Sequence, residues 1–302
     1  MFVRPAMHLP HSRIVLAVFF AALFARGLAA PATPAAWENF GQVKAMRVIG
    51  DVTAQSSDES SPVPLHNGDL LFEGYAITTP ANASVVLVFS NGSTVRVQGN
   101  SRLELSRFRQ DPLKEDTVKV DELKAEPSTS QVELKLGYGE IIGEVKKLSA
   151  SSSYSVQTSI GAAGIRGTVF RDQYRTEGGV SSYAFATTEG LVEFTDLAGH
   201  KSAVPAGRVL GGRQLANKPP GAAAYRVDGL PARASRAIQK HIEVMRLVRT
   251  KVVFRRQDGH SLRNGKPKLR QEPNGKRDDG DDERFMKREK AAKAAPVRRT
   301  KK

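Results

Sequence analysis

The sequence predicts an all-β fold, a compact roll or sandwich or a short solenoid-like stack, followed by one amphipathic helix and a disordered basic tail. Three observations predict it. Hydrophobicity between residues 43 and 215 alternates with period two, and no long helical stripe interrupts it. Glycine-rich turns recur every 8–12 residues or so, the spacing of short strands in sandwiches, barrels and rolls. Charge is concentrated at one end: residues 231–302 hold 23 Lys and Arg against 9 Asp and Glu, whereas residues 30–230 hold 20 against 22. A nearly neutral body therefore carries a C-terminal segment of net charge +14, in a chain whose total is +15.

The elements follow in order. Arg4 and Arg13 flank the polar start, an apolar run of 11 residues extends from Ile14 to Phe24, and small residues follow at Gly27, Ala29 and Ala30. That is the order of a secretory signal peptide, with a cut expected between Ala29 and Ala30. Eleven helical residues rise about 17 Å against an apolar membrane thickness of about 30 Å, so no membrane helix is expected in the mature protein. Export to the periplasm or the exterior follows. Residues 30–42 read as a linker, with a Pro/Ala spacer from Ala30 to Ala36 and folding expected to start near Trp37.

From Val43 the strands begin. Val85, Leu87 and Phe89 alternate with Val86 and Val88, so this strand is apolar on both sides and is expected between two layers. Asn91-Gly92 supplies a hairpin turn to Thr94–Gln98. Residues 109–130 are polar and read as a surface insertion, with a short strand at Val118-Lys119-Val120 as an option. Further strands are expected at 132–136, 154–158, 169–174, 183–187, 191–194 and 204–210. A loose repeat, strand then x-Gly then strand, recurs at Asn91-Gly92, Tyr138-Gly139, Glu189-Gly190 and Ala206-Gly207. Residues 216–232 read as a linker. Ile238, Ile242, Met245, Val248 and Val252 then recur at helical spacing among Arg and Lys, predicting a basic amphipathic helix over 233–255. Its apolar stripe either packs on the β body or docks on an anionic surface or partner. Residues 256–302 are expected to be disordered, ending in Arg298, Arg299, Lys301 and Lys302.

Two segments carry a family resemblance. One contains Gly68-Asp69 and, after an apolar strand, Asn91-Gly92-Ser93. The other runs from Thr158 through Gly161 to Ile165-Arg166-Gly167-Thr168, followed by a strand element at Gly190. Together, over about Val43 to Gly211, they resemble the FecR domain family. Ser159 stands where that family usually has proline. The resemblance implies a periplasmic β domain of the envelope-signalling type. Only 13 residues precede the apolar run, too few for a folded cytoplasmic sigma-factor-binding segment, so the pattern is similar to the stand-alone exported class.

The absence of cysteine from the sequence excludes a disulfide scaffold, thiol chemistry, iron–sulfur clusters and Cys-ligated zinc. No histidine lies in a Gly-x-Ser-x-Gly or His-Glu-x-x-His context, and Ser149–Ser155 lacks a nucleophile signature. Asp278–Glu283 lacks the alternating spacing of a calcium loop. Neither enzyme activity, metal nor cofactor is expected. Arg166 either ties neighbouring carbonyls together or grips a partner, and Asp69 reads as a turn residue. The expected function is a non-catalytic binding or scaffold module of the bacterial envelope. Its partner would be an envelope protein or an anionic glycopolymer or lipid surface, with the tail as an electrostatic tether. Exported location argues against nucleic acid. The alternatives are an envelope signalling regulator that keeps its N-terminal anchor, and a wall-active hydrolase.

Overall fold

The computed structural model describes residues 40–57, 61–215, 225–256 and 269–270. In chain order the strands are β1 (Val43–Ile49), β2 (Thr53–Ser56), β3 (Val63–Pro64), β4 (Leu70–Leu71), β5 (Tyr75–Thr79), β6 (Ser84–Phe89), β7 (Thr94–Val97), β8 (Ser101–Gln110) and β9 (Thr117–Lys119). One turn of 3-10 helix, Val120–Glu122, leads to β10 (Ser130–Glu144), β11 (Ser153–Thr158), β12 (Gly161–Glu177), β13 (Val180–Asp196), β14 (Lys201–Pro205), β15 (Arg208–Leu215) and β16 (Tyr225–Gly229). Helix α1 (Ala232–Arg249) and β17 (Val253–Arg255) follow.

Fifteen strands form one open mixed sheet, and β9 pairs separately with β17. Among the described strands every pairing is antiparallel except β10 with β11, and the isolated bridge Ala125–Lys147 is also parallel. Three long strands change partners part-way. β10 first lies between β8 and β11, then between β7 and β12. β12 leaves β11 after Gly164 and joins β10 at Val169. β13 pairs β15 along its first half and β14 along its second. A strand that changes neighbours must bend, and glycines 139, 167 and 190 mark the three bends with positive φ.

The two-sided strand expected at 85–89 is the wall between two cores. All six residues of β6 are buried. Val85, Leu87 and Phe89 enter the inner core with Leu103, Leu105, Ile141, Phe170 and Phe185. Val86 and Val88 enter an outer core with Ile142, Val169 and Ala186, closed by Ile238, Ile242 and Met245 of α1 and by Val118, Val120, Val252 and Phe254. Period two makes this possible, because successive side chains of one strand serve opposite faces.

Several boundaries differ from expectation. The segment 109–130 is not a surface appendage: Leu113, Val118 and Val120 are buried, and β9 pairs with β17. The short strand read at Val118-Lys119-Val120 is present as β9, one residue earlier. Helix α1 stops at Arg249, not 255, because Val252-Val253-Phe254 is a β-branched and aromatic run that forms a strand once β9 offers an edge. Its apolar stripe packs on the β body, which decides between the two readings. The linker 216–232 contains β16, paired with β15. Phe40, Gly41 and Gln42, placed in the linker 30–42, already join the sheet: Phe40 bridges Arg109, and the Gly41 N–H bonds the Phe108 carbonyl at 2.9 Å. Within the tail expected to be disordered, Leu269 packs against the inner core and Arg270 bridges Leu70. The expected signal peptide, with Ala29 and Ala30, and the terminal Arg298, Arg299, Lys301 and Lys302 lie outside the described residues. Among the described residues no helix is long and apolar enough to cross a membrane.

Candidate functional site

The residues singled out by the sequence sit at bends and turns of the sheet. Ile165, 3 % exposed, faces the inner core opposite Val192. Arg166 pairs with Leu191 and Val169 pairs with Glu189, so Gly167 and Thr168 together oppose the single residue Gly190. This is a β-bulge, two residues against one. Gly167 has φ +64°, and Gly190 has φ +82°. A methyl group on Gly190 would lie 2.6 Å from the Gly167 carbonyl oxygen and from Thr168 Cγ2, so no side chain fits there. The bulge is where β12 is handed from β11 to β10, and the Thr168 carbonyl accepts the Val145 N–H at 2.9 Å at that point. The Arg-Gly-Thr sequence is thus the hinge that lets one strand belong to two parts of the sheet.

Arg166 is exposed, and its Nη2 donates to the Ser149 carbonyl at 2.7 Å, with the Leu148 carbonyl at 3.5 Å. Ser149 belongs to a serine cluster held by Glu126. The Glu126 carboxylate accepts from the Ser149 N–H at 2.6 Å and from the Ser130 hydroxyl at 2.8 Å, and it also accepts from the Ser152 hydroxyl. Ser130 Oγ in turn accepts from Asn91 Nδ2 at 3.1 Å. The two motif segments, 75 residues apart in sequence between Asn91 and Arg166, are joined through Ser130, Glu126 and Ser149. Asn91 is fully buried, and its Oδ1 accepts the Ser93 N–H at 3.0 Å while Gly92 takes φ +89° in the hairpin between β6 and β7.

The remaining positions also hold backbone. Gly68 turns with φ +93°, and Asp69, 2 % exposed, accepts the His66 N–H at 2.8 Å while its own carbonyl takes the Ala45 N–H. The Thr158 hydroxyl donates to the Gly161 carbonyl at 3.2 Å, and a methyl on Gly161 would meet the Thr195 carbonyl at 2.4 Å. Ser159, in place of the usual proline, donates its hydroxyl to the Tyr174 phenol. That phenol also meets Ser181 at 3.2 Å and Thr176 at 3.1 Å. Burial raises the Tyr174 pKa, but these three hydroxyl contacts outweigh it and hold the pKa below its ordinary value.

Residues 75–193 match a family model described as FecR protein. That segment is a FecR domain match. The match begins at β5 and ends within β13, so it contains the Asn91 hairpin, the Glu126 cluster and the Arg166–Thr168 bulge. No curated protein matches the sequence. Two crystal structures, at 2.50 and 1.65 Å resolution, of a protein from Parabacteroides distasonis described as a "putative anti-sigma factor" are similar at 12 % and 13 % identity. Each has a TM-score of 0.38 and covers 54 % of this chain, and the chain spans 62 % and 63 % of theirs.

Within the matched segment lie groups that the sequence alone did not single out. Glu144 at the end of β10 receives Arg249 Nη1 at 2.9 Å and Arg246 Nη2 at 3.2 Å, which fastens α1 to the sheet. Charge at Glu144 and Arg residues three apart in the helix were visible, but nothing in the sequence paired positions 102 and 105 residues apart. Asp172 did leave a signal: it falls on the same strand face as Phe170 and Tyr174 and is fully buried there. Among the described residues no group of three or more His, Cys, Asp or Glu is placed to hold a metal.

Proposed function

We propose that the chain is an exported FecR-type envelope regulator that acts by holding a partner rather than transforming a substrate. One observation supports this above the others: the FecR match falls on a sheet whose motif side chains hold the backbone of its own turns and loops, a structural use that leaves them no part in catalysis in this reading. FecR domains belong to the periplasmic side of envelope signalling, and the leader-like residues 1–29 agree with that placement. The segment 290–302 holds six basic residues and no acidic one, and in this reading it tethers the module to anionic envelope material.

The test is fractionation of cells making either the full chain or a chain ending at Arg270. The full chain is expected with the envelope at low salt and released at high salt, and the shortened chain in the soluble fraction. A shortened chain that stays bound in high salt overturns the tether. The FecR match also favours a second reading, a signalling regulator that retains its N-terminal anchor. Mass measurement of the mature N-terminus separates the two: a start at Ala30 supports the exported module, and an intact Met1 supports the anchored regulator.

A further inference from the structure

Asp172 lies at the seam where β10, β12 and β13 run side by side, directly opposite Ile141 on β10 and Phe185 on β13. Its strand neighbours on the same face are Phe170 and Tyr174, and the Phe170 and Phe185 rings stack beside it with centroids 5.4 Å apart. The residue is 0 % exposed, and neither carboxyl oxygen has a hydrogen-bond partner among the described residues. The charged neighbours turn away: Arg171 projects to the other face and pairs with Glu140 at 2.6 Å. On β13 the flanking positions are Tyr183 and Thr187, and on β10 they are Gly139 and Gly143. Among the described residues the titratable groups facing Asp172 are therefore two tyrosines, Tyr174 and Tyr183, and no cation compensates a negative charge.

A buried carboxylate without a donor is expensive in an apolar core, whereas a carboxylic acid is tolerated. We propose that Asp172 is a proton-held lock in the β10–β12–β13 seam: the seam stays packed while the carboxyl carries its proton and loosens when the proton leaves. The opposite face of the same seam presents Ile142, Val169 and Ala186 to α1, so loosening it also releases the apolar floor beneath the helix. Burial alone drives the Asp172 pKa well above the ordinary 3.8, and burial, with Asp172 next to it, pushes the Tyr183 hydroxyl up as well.

The sign follows from linkage. A carboxyl whose folded value is raised contributes its full stability below the unfolded value and loses it as pH climbs towards the folded value. The unfolding constant of the full chain is therefore expected to rise by up to about tenfold per pH unit above about pH 4, until the carboxyl ionises in the folded state. Asp172→Asn, uncharged at every pH, removes this rise. Thermal unfolding of the full chain and of Asp172→Asn from about pH 5 to about pH 9 reads it directly. Parallel pH profiles in the two proteins overturn the proposal. If the variant fails to fold, carbon-13 NMR of the Asp172 carboxyl in the unmodified chain decides: a signal still protonated above about pH 5 supports the lock, and titration near about pH 4 overturns it.

Discussion

Arg249 Nη1 lies 2.9 Å from Glu144 Oε2 although 105 residues separate them in sequence. Both side chains are nearly buried, at 8 % and 12 % exposure, and the pair fastens the last turn of α1 to the end of β10. Arg246, 40 % exposed, reaches the same carboxylate from the helix's outer side. Cations in the last turn also suit the helix dipole.

Removing the buried acid leaves a guanidinium without its counter-charge. Glu144→Ala is expected to destabilise the protein by about 3–5 kcal/mol, whereas Arg246→Ala costs under about 1 kcal/mol because water screens that partner. Urea unfolding of both variants measures the difference, and equal losses would contradict the clamp.

The apolar underside of α1 should matter as much as its charges. Ile242 is fully buried in the outer core and Leu247 is 55 % exposed. Ile242→Ala is expected to cost about 2–5 kcal/mol through lost burial and an incompletely filled cavity. Leu247→Ala should stay within about 0.5 kcal/mol. Hydrogen exchange should show faster opening of α1 and of the β9–β17 pair in the first variant only.

The bulge opposite Arg166-Gly167-Thr168 allows no side chain at Gly190. Gly190→Ala combines a left-handed backbone with a contact of 2.6 Å, so a loss on the order of 2 kcal/mol or more is expected. Gly178 has a positive φ and nothing within 4 Å, so Gly178→Ala should cost only the backbone strain, about 1 kcal/mol. Thermal denaturation of the two variants separates close approach from backbone preference.

At the β13–β14 turn Asp196 predicts an acid limb. Burial raises its pKa, but hydrogen bonds from the His200 and Ala198 N–H groups and the His200 ring outweigh that and lower it below 3.8. A depressed folded value means that stability is present above the unfolded value and lost as pH falls through the folded one. Asp196→Asn should therefore flatten the loss of stability below about pH 4 while shifting the neutral-pH melting point far less than Glu144→Ala. An unchanged acid limb would refute this assignment.

The return of the chain at Leu269 and Arg270 distinguishes two truncations. Leu70 and Arg270 exchange backbone hydrogen bonds at 3.1 and 3.2 Å, and the Leu269 N–H donates to the Tyr75 hydroxyl at 2.7 Å. A chain ending at Arg256 loses these contacts and is expected to melt several degrees lower than one ending at Arg270, since 1 kcal/mol shifts the midpoint of such a domain by about 2–4 °C. Identical midpoints would show that the contacts contribute nothing.

Much of the FecR domain was legible from local pattern alone. The period-two alternation of β6, the Asn91-Gly92 hairpin and the Arg166–Thr168 motif are short-range features, because side-chain alternation and turn conformation are set by neighbours a few residues apart. The same holds for the apolar stripe of α1, which the sequence displayed without saying what it covers. Only the tertiary structure decided that this stripe and the polar segment 109–130 meet over the outer face of β6, that Glu126 joins two distant motif segments, and that Arg249 finds Glu144. Those pairings depend on strands that change neighbours at glycine bends. Closing contacts across a hundred residues is a property of the whole sheet, not of any window along the chain.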